Sequence, residues 1–182
     1  VLDSMRSDTR GRVVLEEMTK TKLAEQINDT LYIHTDPNHN IVQALVNHQG
    51  VDGVNQVFQT NMRRRLLEWA NPDSLDPSFY DLRDSFLHTY NGRGGTERAA
   101  RGISTPMTEM DGIRLRSRGI NRIIHGHTDH TYEWGVPAQT IVIGGVEIIS
   151  IDYSTFKSGY DKYGTRSAGS IETDGKHNLK KP

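Results

Sequence analysis

Three histidines and an aspartate fall within six residues at His125-Gly126-His127-Thr128-Asp129-His130, directly after the apolar pair Ile123-Ile124. Neutral imidazole nitrogen is the commonest protein ligand for zinc, iron and related ions, and carboxylate oxygen often joins it. That density of donors points to a metal centre. The plainer reading is a polar loop whose histidines hydrogen-bond their neighbours. Gly126 lets the backbone turn sharply and come close to a ligand. Asp129 is able to ligate, or to orient an imidazole from behind. A further histidine, His34, closes the short apolar run Leu31-Tyr32-Ile33. Ligands in layered α/β proteins gather beyond the carboxyl ends of strands. If these two strands are neighbours, His34 and His127 converge. His39, His48, His88 and His177 stand apart from the cluster and read as ordinary surface residues.

Positioning those donors requires a particular order of elements. Val14 with Met18, and Leu23 with Ile27, are i,i+4 pairs, so residues 13–27 read as helix. Residues 30–35 are rich in β-branched and aromatic types and read as a strand. Asp36-Pro37 has the form of an N-cap followed by proline at the first helical position, with Ile41, Ala44 and Leu45 on one face beyond it. Val54, Phe58, Met62 and Leu66 recur every four residues and predict a second helix. Residues 71–77 break it, 78–90 read as a short helix, and the glycine- and arginine-rich 92–102 as a surface loop. Thr105-Pro106 opens another helix, Arg114, Arg116 and Arg118 suit its C-terminal end, and Gly119 closes it. Ile120, Ile123 and Ile124 then make a buried strand that ends at the histidine cluster. Strands at 140–143 and 146–151 flank Gly144-Gly145, a hairpin signal. Residues 154–165 read as a loop and 170–173 as a last strand. The fold class is mixed α/β: helices packed on a β-sheet that ends in an antiparallel hairpin. Residues 1–12 are charged and expected to be loose, 13–175 form one domain, and 176–182 make a basic tail.

The totals narrow the function classes. A chain of 182 residues has room for one domain with a true core. Lys plus Arg number 22 against 23 Asp plus Glu, so no strong field draws nucleic acid or an anionic membrane. No apolar run approaches the ~18 residues of a spanning helix. Cysteine is absent, which excludes thiolate ligands and a cysteine nucleophile and suits a reducing, cytoplasmic setting.

With these residues in place, the chain is similar to the C-terminal half of a calcineurin-like metallophosphoesterase, the superfamily that includes the protein serine/threonine phosphatases. Leu31-Tyr32-Ile33-His34-Thr35 resembles that family's strand–histidine–small-residue context, and Gly126-His127-Thr128 matches its Gly-His-Thr motif. The resemblance implies half of a β-sandwich, with His34 and His127 as ligands of the second of two divalent ions (manganese, iron or zinc). His125, Asp129 and His130 are weaker metal candidates. The implied reaction is hydrolysis of a phosphate ester, on protein, nucleotide or another phosphoester, by metal-activated water. The family's Asp-x-His, Gly-Asp-x-x-Asp and Gly-Asn-His motifs are missing, since none of the 17 glycines precedes Asp or Asn. The bridging acid and general acid therefore have no candidate here and are expected upstream of Val1. A truncated portion, inactive alone, is the expectation.

Two other readings compete. His125-x-His127-x-Asp129-His130 fits the His-x-His-x-Asp-His signature of the metallo-β-lactamase superfamily, although helices rather than strands precede it and His177 is the sole later histidine. Arg63-Arg64-Arg65, with Arg93, Arg98 and Arg101, would serve a non-catalytic module binding RNA or protein. The near-zero net charge argues against nucleic acid as a partner.

Overall fold

Two rows of apolar side chains dictate the sheet. The computed structural model describes residues 2–87, 106–126 and 140–151. Within them lie β1 (Ala24–Ile27), β2 (Thr30–Ile33), β3 (Arg122–His125), β4 (Thr140–Ile143) and β5 (Val146–Ser150), in the spatial order β1-β2-β3-β5-β4. β2, β3 and β5 are mutually parallel, and an antiparallel strand flanks them on each side. Leu31, Ile123 and Ile148 pair across the three parallel strands and are fully buried. They belong to one core with the helices, whereas the alternate row of Tyr32, Ile124 and Ile149 does not. Side-chain alternation along a strand produces this division.

The helices α1 (Leu2–Ser7), α2 (Thr9–Met18), α3 (His39–Asn47), α4 (Val51–Leu66), α5 (Ser78–Leu87) and α6 (Glu109–Arg116) complete the mixed α/β fold. Val54, Phe58 and Leu66 bury the stripe that the four-residue spacing predicts, and Phe58 stacks on Phe79 of α5 at 5.4 Å. Ile41, Val42 and Leu45 of α3 join the same core. Burying one such side chain contributes about 1.5–3 kcal/mol. α6 lies against the β4–β5 hairpin because Gly112 and Gly144 meet there: a Cβ on Gly112 would stand 2.1 Å from the Ile143 carbonyl oxygen. Gly144 and Gly145 have φ of +56° and +80°, the backbone a two-residue hairpin turn requires. No helix among the described residues is long and apolar enough to cross a membrane.

Four local expectations change. Residues 2–7 and 9–18 are helical rather than loose, with Asp8 capping α2 through Gly11 N–H and Arg6 donating to the Leu66 carbonyl at 2.6 Å. The helix expected over 13–27 stops at Met18, and 24–27 is strand β1, turned back through Asn28 at φ +55°. Tertiary pairing with β2 wins over the weak helical spacing, because Leu23 and Ala24 are buried there. Asn38, not Asp36, caps α3, its Oδ1 accepting from Ile41 N–H at 3.0 Å. Thr108 caps α6, three residues after the expected Thr105-Pro106 start. The loops expected at 92–102 and 154–165, the strand at 170–173 and the tail at 176–182 lie outside the described residues.

Strand β1 hangs on one buried side chain of α4. Asn55 accepts from Leu23 N–H at 2.8 Å and Ala24 N–H at 3.3 Å, and donates to the Ala24 carbonyl at 2.8 Å. Asn55→Ala strands three buried backbone groups and should lower unfolding free energy by about 2–4 kcal/mol in urea titrations. Gln59→Ala, which removes solvent-side bonds from the same helix, should cost much less; equal losses would mean that Asn55 is not the anchor.

Candidate functional site

Because β2, β3 and β5 run parallel, their carboxyl ends open on one edge of the sheet. Ile33, His125 and Ser150 form the last rung of that edge. His34 follows Ile33 and Gly126 follows His125, so both histidine-bearing segments leave neighbouring strands side by side. The strand adjacency that convergence of the two segments requires is present. His34 is exposed one residue beyond β2. His125 is 0% exposed, with Nδ1 3.3 Å from Asp36 Oδ1 and 3.3 Å from the Gly126 carbonyl oxygen. These two imidazoles do not share an environment: one faces solvent and the other is packed beneath the edge. His127, Asp129 and His130 lie outside the described residues, as do His88, His177, Arg93, Arg98 and Arg101.

Beneath the edge the interior turns polar. Thr35, Asp36, Asn38, Ser85, His125 and Ser150 are all buried. Thr35 Oγ1 and Asn38 Nδ2 each donate to the Ser85 carbonyl at 3.3 Å, and Asn38 Nδ2 also reaches the Asp36 carbonyl at 3.3 Å. Ile151 N–H donates to the His125 carbonyl at 2.8 Å, which carries the β5 strand onto the same rung. Buried polar groups persist only where they are partnered, so this packing fixes the loop after β2 firmly.

As to metal, no three His, Cys, Asp or Glu side chains converge among the described residues. They place the His34 imidazole in solvent one residue beyond β2, and in the sequence the nitrogen and carboxylate side chains His127, Asp129 and His130 come after the neighbouring strand β3. Those donor types fit manganese, iron or zinc.

A second His–Asp pair escaped the sequence reading. His39 Nδ1 lies 3.0 Å from both carboxylate oxygens of Asp111, whose side chain is 1% exposed against 35% for His39. Asp111 also accepts from Thr108 N–H at 2.9 Å and Thr108 Oγ1 at 2.7 Å, closing a capping box on α6. Arg114 stands 3.5 Å away. Thr108-x-x-Asp111 before a helix was a readable signal for the cap. Nothing in the sequence paired it with His39, which had been read as a lone surface residue. His48 ends α3 as its cap residue. Trp69 is 60% exposed under the Arg6 guanidinium, 4.2 Å from the ring centroid. The arginine run is engaged at home: Arg63 faces Glu68 at 3.4 Å, and Arg64 donates to the Ser74 carbonyl at 2.8 Å.

No family model, curated protein or solved structure matches this chain.

Burial pushes the Asp111 carboxyl up, but hydrogen bonds from His39 and Thr108 more than reverse this, leaving it below its ordinary 3.8. A lowered carboxyl contributes stability that is present above its unfolded-state value and is lost as pH falls through the folded one. Wild type should therefore lose stability more steeply than Asp111→Asn on acidification below about pH 4. At neutral pH, Asp111→Asn should be less stable by about 1–3 kcal/mol. Parallel acid slopes in denaturation series would remove Asp111 from the account.

Proposed function

We propose that this chain carries part of a calcineurin-like metallophosphoesterase centre, one that hydrolyses phosphate esters on protein, nucleotide or other carriers. The observation that supports the reading is the in-register parallel pairing of β2 with β3, which sends His34 and Gly126 out of adjacent strand ends, with His127 next in the sequence. His34 and His127 would hold a divalent ion, with Asp129 and His130 as further donors and His125 behind them. A bound ion of this kind supplies Lewis acidity and lowers the pKa of its water toward neutrality. The chain's own residues would fix the donors: β2 and β3 set the spacing of the two segments, and the buried polar packing holds the loop after β2. The family's bridging carboxylate and general acid are assigned to no residue here, since their motifs are absent from the 182 residues. A cytoplasmic setting belongs to the same reading and rests on the absence of cysteine.

The metallo-β-lactamase reading needs His125 as a direct ligand. Helices α3 to α6, rather than a run of strands, precede β3, which favours the phosphoesterase assignment, in which His34 and His127 ligate instead.

Calorimetric titration of the chain with Mn²⁺ and Zn²⁺ tests the ligand assignment. His34→Ala and His127→Ala should each weaken binding by roughly tenfold or more, and the double variant should lose little beyond the worse single one. Affinities equal to wild type in both variants would refute the proposal.

A further inference from the structure

Asparagine is a poor helix former and is costly to bury, yet Asn55 is buried in the middle of α4, beside Val54 of its apolar stripe. What its side chain meets explains its presence. Strand β1 is an outer strand among the described residues, paired with β2 alone. Antiparallel pairing alternates, so every second residue turns its N–H and carbonyl away from the neighbouring strand. Ile27 and Thr30 close a two-residue turn, which directs the backbone groups of Gln26 and Ala24 outward. These are the groups with which a further strand would pair. The Asn55 amide takes both of Ala24's, accepting from its N–H at 3.3 Å and donating to its carbonyl at 2.8 Å. It also accepts from Leu23 N–H at 2.8 Å. One turn along α4, Gln59 Nε2 donates to the Lys20 carbonyl at 2.9 Å and the Thr21 carbonyl at 3.4 Å. Two amides at i,i+4 therefore run along the segment that enters β1.

We infer that α4 is an autoinhibitory cover on the β1 edge: Asn55, with Gln59 beside it, occupies the site at which β1 would take a strand from a second copy of this chain. A primary amide carries a donor and an acceptor side by side, the same pair that an adjoining strand presents. Asn55 therefore satisfies Ala24 as a strand would, but from a helix, and offers no further row of groups to pair with. A leucine at position 55 would suit both helix and core, yet it would leave the Ala24 N–H and carbonyl buried without partners. Those groups regain partners where α4 lifts, and lifting α4 bares the outer strand. Each copy then presents the same outward pair, Ala24 and Gln26, so two opened edges are complementary in antiparallel register. A helix laid over a sheet edge is one of the means by which proteins prevent such pairing.

Size-exclusion chromatography with light scattering tests the cover, on the full chain over a range of protein concentrations and well below the unfolding midpoint of each variant. Asn61→Ala is the control, because Asn61 is a second buried amide of α4 that holds a backbone N–H, that of Asp76, outside any strand. Asn55→Ala should shift toward larger species than wild type as concentration rises, while Asn61→Ala elutes as wild type does. Gln26→Pro removes the next outward N–H of β1 and spares the bonds to β2. Asn55→Ala/Gln26→Pro should therefore return to wild-type elution without regaining the lost stability. Wild-type elution of folded Asn55→Ala at every concentration would overturn the inference. So would association of Asn61→Ala to the same extent, or association that the proline leaves unchanged, since both would trace it to lost stability and not to the edge. Should Asn55→Ala or the double variant fail to fold, hydrogen exchange of the wild type decides. The Leu23 and Ala24 amides should exchange as slowly as interior amides of α4, because the helix must lift to free them. Exchange at free-peptide rates would reject the cover.

Discussion

The parallel contact between β2 and β3 is the constraint on which the rest of the molecule depends. Parallel strands cannot be joined by a tight turn, so the long connection between them must cross over and pack somewhere. Here it supplies α3, α4, α5 and α6. α3, α4 and α5, together with Met107 and Leu115 near and on α6, bury their apolar positions with the row that includes Leu31, Ile33 and Ile123. One register therefore satisfies the core and sets the edge at once. A slip by a single residue would carry Leu31 and Ile123 to the opposite face and place His34 beside a different partner. The same row of isoleucines and leucines that stabilises the sheet thus fixes where the histidine-bearing loops begin.

Polar groups at the edge are held by a different kind of force. Two His–Asp pairs hold the chain where it passes from β2 into α3: Asp36 reaches His125, and His39, the first residue of α3, reaches Asp111. Between them Asn38 caps α3 and grips the Ser85 carbonyl. In a low-dielectric interior such contacts are strong when complete and costly when broken, which makes them rigid rather than merely stabilising. Apolar packing tolerates small shifts in volume; a partnered aspartate tolerates little movement of its partner. Asn55 and Asn61 play a comparable part far from the edge, fixing β1 and the turn at Asp76 through backbone groups.

Much of this was legible in the residues themselves. The four-residue spacing of Val54, Phe58, Met62 and Leu66 specified α4, because a helix of that period buries one stripe. Gly144-Gly145 specified the hairpin, because few other residues accept two successive positive φ values. The strand expected over 30–35 and the one expected through Ile120, Ile123 and Ile124 were also readable, although they span only 30–33 and 122–125, and so was the mixed α/β class. The N-terminal elements were not. Leu23, Ala24 and Ile27 carry too little pattern to say strand, and what made them one was the β2 backbone and the Asn55 side chain arriving from elsewhere.

The sequence by itself determined which residues could donate to a metal and that two of the donor segments begin at strand ends, since residue type and local period are properties of the chain alone. Tertiary structure decided that those strands are neighbours, that His125 goes into the interior while His34 stays in solvent, and that His39 pairs with Asp111. The reason is physical: burial and partnership depend on which distant segment packs alongside, and imidazoles of identical chemistry acquire different roles once one is desolvated against a carboxylate and another is left in water.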